Sequence, residues 1–270
     1  MKKITSLLLV LFSLVLFAQQ DPIHLKDENL KGAIQSYEKK TYIVTPSTGE
    51  LVQKYDEKKS FDTSGNLIGI ATFGNDTKLD SKTVYKYEAG HLVSKIVYNS
   101  AGKEDKITQY EYDAENRLTS QKKYNSAGQL QYQTRYFYNS KGQMLSEHKL
   151  IPSINYTLKE AYQYDANNHV IEIAKKARIG TTKVTFSYND MGKVAKKSDY
   201  NAMGELYSVI QYEYNQYGDK TGLKKYDADG KLTYFETYQY LYDKQGNWTE
   251  RTNFEKGKKV SVEKRKVTYY

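Results

Sequence analysis

The stretch from Lys106 to Gln131, KITQYEYDAENRLTSQKKYNSAGQLQ, carries one short unit twice: Tyr112-Asp113-Ala-Glu-Asn116-Arg-Leu118, and then Tyr124-Asn125-Ser-Ala-Gly128-Gln-Leu130. An aromatic residue is followed by Asp or Asn, two small or polar residues, Gly or Asn, a polar residue and an apolar one. The same turn position recurs at Gly65, Gly90, Gly102, Asn116, Gly128, Gly142, Asn168, Gly180, Gly192, Gly204, Gly218, Gly230, Gly246 and Gly257. From Gly90 to Gly142 the steps are 12, 14, 12 and 14, and Gly142 to Asn168 is a double step of 26. A turn that has lost its glycine is therefore expected near Ser153 to Asn155. Repetition at a fixed period restricts a chain to a few architectures before any residue is considered singly.

Gly and Asn are the residues that accept a positive backbone φ at little cost, which explains their monopoly of the turn position. Asp or Asn three residues earlier can bond the backbone that follows and hold the turn. Strands of six to nine residues joined by such short links must be antiparallel neighbours. The spacing thus predicts an all-β fold, an antiparallel meander of repeated hairpins. Because nearly every step is even, even positions are expected to stay on one face from strand to strand. Leu130, Tyr132, Thr134, Tyr136 and Tyr138 would share that face, as would Leu206, Ser208, Ile210, Tyr212 and Tyr214; Tyr110 and Tyr112 belong with them. The step from Gly246 to Gly257 is 11, which predicts a tighter last hairpin or a bulge.

Tyr must supply much of the buried area, since there are 28 Tyr against 8 Phe and 1 Trp in a chain that is 39% hydrophobic. Its hydroxyl wants a partner, so a Tyr face suits a partly wet surface. A sheet this large twists and curls. The expectation is a single large curled sheet, partly closed, with the Tyr-rich face inside. The last strand, Val260 to Tyr270, would lie at one edge, with Lys264, Arg265 and Lys266 discouraging further pairing.

Residues 1–18 have a basic start (Lys2, Lys3), an apolar run from Leu7 to Phe17 and a small residue at Ala18. That is the layout of a secretory signal peptide cleaved after Ala18, too short an apolar run for a membrane anchor. Residues 19–31 read as a polar leader, with a turn of helix around Asp27 to Leu30, and 32–270 as one β-repeat domain. No later segment is apolar enough for a transmembrane helix, so an extracytoplasmic location (periplasmic, cell-surface or secreted) follows for the mature chain. The net charge of +9 falls by two when Lys2 and Lys3 leave.

Tyr112-Asp-Ala-Glu-Asn-Arg-Leu118, Tyr226-Asp-Ala-Asp-Gly-Lys-Leu232 and Tyr242-Asp-Lys-Gln-Gly-Asn-Trp248 resemble the YD repeat of the bacterial rearrangement hot spot (RHS) family. The likeness spans roughly residues 55 to 260. In that family the repeats build strand pairs that spiral into a shell around a toxin or present an extracellular surface. The resemblance here implies a short secreted protein made from the same unit, without the RHS core segment or a toxin domain.

The residues point to no reaction. Absence of Cys excludes disulfides, thiol catalysis and thiolate metal sites. The four His, at 24, 91, 148 and 169, lack metal-ligand spacing, and the Ser-x-x-Lys matches at Ser36, Ser120 and Ser261 lie on strands rather than at helix starts. Asp227-Ala-Asp229-Gly230 lacks the distant acidic residue of a calcium loop and reads as a side-chain-held turn. Carboxylate pairs cannot be picked out, since none stands in an apolar setting. No cofactor or metal is expected. What remains is a set of lysine doublets, Lys122-Lys123, Lys175-Lys176, Lys196-Lys197 and Lys224-Lys225, most just before a repeat Tyr. These form either a basic stripe beside the Tyr ladder or a solubilising surface. The ligand-facing candidates are Tyr110, Tyr112, Tyr136, Tyr138, Tyr212, Tyr214, Lys123, Lys197 and Lys225. Two functions compete: a non-enzymatic interaction scaffold for a protein or envelope partner, and a carbohydrate-binding module for acidic polysaccharide. Nucleic acid suits a secreted chain poorly.

Overall fold

In the computed structural model, which describes residues 28–178 and 180–270, eighteen antiparallel strands follow the chain in order. They are β1 (Ile34–Val44), β2 (Leu51–Phe61), β3 (Leu67–Gly74), β4 (Leu79–Glu88), β5 (His91–Asn99), β6 (Glu104–Tyr112), β7 (Leu118–Asn125), β8 (Leu130–Tyr138), β9 (Met144–Ile151), β10 (Tyr156–Tyr164), β11 (Val170–Ala177), β12 (Gly180–Tyr188), β13 (Val194–Tyr200), β14 (Leu206–Tyr214), β15 (Lys220–Asp227), β16 (Leu232–Tyr242), β17 (Trp248–Glu255) and β18 (Lys258–Tyr269). Each strand pairs with the next, and β1 pairs with both β2 and β18. The sheet is therefore a closed barrel, not the open curled layer expected from the repeats.

Closure also reassigns the last strand. β18 is no protected edge: β17 and β1 flank it, with Lys266 opposite Glu38 and Arg265 opposite Lys39. Pairing the first strand with the last satisfies the edge groups that a meander would leave open.

The turns obey the sequence reading. Asp113 Oδ1 accepts the N–H groups of Glu115 and Arg117, and Asn125 Oδ1 those of Ala127 and Gln129. Asn116 and Gly128 stand at φ 62° and 73°, so a larger side chain in place of Gly128 would strain the turn. Pro152–Ile154 forms one 3₁₀ turn ended by Asn155 at φ 43°, where the missing glycine was expected. The last hairpin turns on Lys256 and Gly257 alone, both with positive φ.

The faces do not follow simple parity. Nearly every hairpin carries a bulge beside its turn; Glu111 lies opposite Ser120, but Tyr112 lies opposite Leu118. One extra residue per bulge shifts the alternation, so one face takes even positions in β6 and β8 and odd positions in β7 and β9. Tyr85, Lys95, Thr108, Lys123 and Tyr132 form one row across five strands of that face. Leu130 and Leu206 leave it, because they pair with Tyr124 and Tyr200 on the other side.

The Tyr face is the inside. Residues 28–31 lie against it, with Glu28 bonded to Tyr37 and Lys59, and its ionisable groups are desolvated. Ion pairs on the other face, such as Lys58 with Glu38 and Lys224 with Glu213, are open to water. The barrel has two unlike ends. At the base, which holds the turns after even-numbered strands and both ends of the described chain, the Tyr–apolar pairs point inward. Phe61, Leu67, Leu92, Leu118, Met144, Val170 and Val194 are buried there. Leu30 and Ile34 join this core, and Asn247, 1% exposed, clasps Lys31 through both its backbone groups and donates to the Tyr269 hydroxyl. At the other end, the rim, the equivalent pairs (Tyr124 with Leu130, Tyr226 with Leu232) point outward.

A ladder of Tyr hydroxyls binds the base together. Tyr87, Tyr112, Tyr138, Tyr164, Tyr188, Tyr214 and Tyr240 donate to the carbonyls of Leu67, Leu92, Leu118, Met144, Val170, Val194 and Lys220 at 2.6 to 3.0 Å. Tyr138→Phe keeps the ring and orphans the Leu118 carbonyl, so it should cost ~1 kcal/mol. Thermal unfolding should show a drop of about 2–4 °C, whereas Tyr207→Phe, at a site 67% exposed, should change nothing.

Candidate functional site

Eighteen strands enclose more space than side chains fill, and the inner wall changes character along the axis. The base half holds the apolar and Tyr core. The rim half carries hydroxyls and charges. Three of the predicted Tyr, Tyr112, Tyr138 and Tyr214, are thus ladder posts at the base. Tyr110, Tyr136 and Tyr212 sit one row further into the lumen; Tyr136 donates to Gln121 at 2.9 Å. Burial raises all of these hydroxyls, that of Tyr212 to about 12, so they are neutral donors at any physiological pH.

The lysine doublets do not make a single stripe. Adjacent residues on a strand point to opposite faces, so Lys123, Lys175, Lys197 and Lys225 line the lumen while Lys122, Lys176, Lys196 and Lys224 face outward. On the outside Lys122 meets Glu111 at 2.5 Å and Lys224 meets Glu213 at 2.7 Å. Inside, Lys197 pairs with Asp199 at 2.9 Å and Lys175 with Glu160 at 2.7 Å. Lys39 with Glu57, Lys59 with Glu28 and Arg251 with Glu263 complete a neutralised sector of the wall.

The sector from β4 to β9 differs. Among the described residues Lys95, Lys123 and Lys149 make no ion pair there. Lys123 and Lys149 lie over the Tyr132 ring, with Nζ 5.5 and 3.9 Å from its centroid, and Lys95 lies over Tyr85 at 5.6 Å. Burial, reinforced by the charge of Lys123, holds the Lys95 ammonium below its usual range. Of the three lysines singled out from the sequence, Lys123 joins this cluster, Lys197 is neutralised, and Lys225, opposite Ile210 and Tyr234, stands apart.

One arrangement was invisible in the sequence. Glu147 and Glu160 are direct cross-strand partners on the inner wall. Burial, then the Glu160 charge, raises the Glu147 carboxyl above its ordinary range, against the pull of Tyr162, Lys175 and Lys149. Only the strand register reveals this pair; a carboxylate pair without neighbours in sequence gives no local signal. Asp227, the suspected calcium residue, accepts the N–H groups of Asp229 and Lys231 as a turn residue does. Among the described residues no group of His, Asp and Glu could hold a metal.

The raised Glu147 has a consequence for stability. When the folded carboxyl titrates above the unfolded one, ionisation opposes folding as pH rises past the unfolded value, and below that value both states are protonated. Glu147→Gln should therefore raise the melting temperature at neutral pH, and the gain should vanish below about pH 4. Paired melting curves across that range check it.

No protein-family model and no curated protein matches the chain. Among solved structures it is similar to a porin-like protein from Bacteroides uniformis (TM-score 0.47, 13% identity, covering 88% of this chain and 99% of that one). A porin-like protein from Bacteroides vulgatus gives a TM-score of 0.34 at 11% identity, over 88% and 98% of the two chains. The structure of TcdB2-TccC3-TEV gives 0.35 at 11%, over 82% of this chain and 15% of that one. Identities this low say nothing of ligand or reaction.

Proposed function

We propose that this chain is a soluble, non-enzymatic, extracytoplasmic barrel that takes a ligand into its lumen through the rim, rather than a channel embedded in lipid. The outer face carries the reading. A membrane barrel turns an apolar band to the lipid and keeps polar groups inside. Here the outward mid-strand positions hold Glu38 and Lys40 on β1, Lys58 on β2, Lys82 on β4, Lys122 on β7, Arg135 on β8, Lys159 on β10, Lys183 on β12, Lys196 on β13 and Lys264 on β18. Each Lys or Arg at the centre of a bilayer would cost about 2–4 kcal/mol, and they occur around the whole circumference.

An inward Tyr face also weighs between the two functions drawn from the sequence. A flat protein partner cannot reach it, whereas a chain or small molecule entering at the rim can. The carbohydrate-binding reading gains from this. The resemblance of the turn units to YD repeats agrees with a shell of hairpins around an enclosed space. The export-type segment 1–18 and its cleavage after Ala18 lie outside the described residues and remain the support for an extracytoplasmic location.

Expressed without residues 1–18, the chain should stay in solution without detergent, fail to float with lipid vesicles, and give no conductance steps in planar bilayers. Detergent-dependent solubility together with stepwise conductance would overturn the reading.

A further inference from the structure

Resting on that reading, we infer that the β4–β9 wall of the lumen is a binding site for the carboxylate or sulfate groups of an acidic sugar chain, held by Lys95 beside Tyr85 and by Lys123 and Lys149 at Tyr132. Elsewhere on the inner wall Lys39, Lys59, Lys175, Lys197 and Arg251 meet carboxylates, and Lys220, Lys225 and Arg265 stand singly. Lys95, Lys123 and Lys149, without a carboxylate in ion-pair distance among the described residues, are instead gathered in one sector, and two of them share a single ring. Lys95, Thr108, Lys123 and Tyr132 lie in one unbroken row, and Lys149 stands opposite Thr134 one pair away. Three like charges on a partly desolvated wall repel one another, and an anion is the ligand that would remove that repulsion. The desolvation that depresses the Lys95 ammonium is relieved by the same event.

Hydroxyls point to the rest of the ligand. The Tyr110 and Tyr132 hydroxyls donate to no group among the described residues, unlike the ladder Tyr. Thr108 and Thr134, 6% and 4% exposed, place hydroxyls between the lysines. A wall of hydroxyls with little aliphatic surface suits a polyhydroxylated ring better than a lipid tail. Glu147, two residues from Lys149 on the same strand face, has its carboxyl raised above the ordinary range by burial and by the Glu160 charge.

The lysine doublets supply an internal control, because neighbouring lysines sit on opposite sides of one wall. Calorimetric titration of the mature chain with polygalacturonate and with dextran sulfate, neutral dextran serving as blank, should show salt-sensitive binding to at least one anionic polymer and none to the blank. Lys95→Ser/Lys123→Ser/Lys149→Ser should weaken that binding roughly tenfold or more, the loss of about one charge-assisted hydrogen bond, without lowering the melting temperature. Lys82→Ser/Lys176→Ser/Lys196→Ser removes the same charge from the outside and should change affinity less than about twofold, since screened surface charges contribute little. Equal losses in the two triple variants would reduce the effect to surface adsorption and overturn the site, as would silence toward both polymers. Flotation and conductance are read independently, so a failed site and a failed soluble-barrel reading give different results.

Discussion

The tyrosine hydroxyl-to-carbonyl bond at the base is the contact on which the barrel depends. Consecutive hairpins are joined there by no turn, and their ladder pairing stops early: β7 and β8 last meet at Ser120 and Arg135, β5 and β6 at Ser94 and Gln109. Two residues beyond each last pair a carbonyl would be left bare in an apolar setting, a loss of a kcal/mol or more. Tyr138 reaches the Leu118 carbonyl and Tyr112 the Leu92 carbonyl, each from the neighbouring strand. Phe would pack as well and leave the carbonyl bare. The bias of this sequence toward Tyr over Phe is thus a hydrogen-bonding requirement as much as a packing one.

The bulges decide what that ladder encloses. By shifting alternation beside the turns, they send the Tyr–apolar pairs inward at the base and outward at the rim. The buried apolar side chains are thereby gathered mainly at the base. The result is a vessel with a packed base, fastened by Asn247 to the backbone of Lys31, and a polar upper lumen. Had alternation run unbroken, Leu130 and Leu206 would have filled the upper lumen and left no polar interior.

The sequence made the hairpins legible because turn chemistry is local: Asn116, Gly128 and the Asx bonds of Asp113 and Asn125 act within five residues of one another. Even the turn without glycine, at Pro152–Ile154, could be placed from the period alone. Closure was not legible, since the meeting of Lys39 with Arg265 and of Glu38 with Lys266 depends on curvature summed over the whole sheet. Nor were the bulges, which have no residue signature beyond the turn itself. Missing them misplaced Leu130, and it hid the Glu147–Glu160 pair, which exists only through the register of β9 with β10. The lysine doublets were noticed but read as one stripe, because a doublet in sequence looks continuous and on a strand is divided between two solvents.

That division separates two roles that composition cannot distinguish. An outward lysine such as Lys122 or Lys224 finds an acidic neighbour and high-dielectric water, and its exposed ion pair contributes little beyond solubility. An inward lysine loses part of that solvation, so an unpaired one is retained against a cost. At Lys39, Lys175, Lys197 and Arg251 the cost is offset by Glu57, Glu160, Asp199 and Glu263. Between β4 and β9 it is offset by the faces of Tyr85 and Tyr132, which attract a cation but do not neutralise it, and at Lys149 by attraction to Glu147. A closed wall therefore carries a local surplus of positive charge that neither solubility nor protection of a sheet edge explains. The barrel has no edge there, and the charge faces away from bulk water.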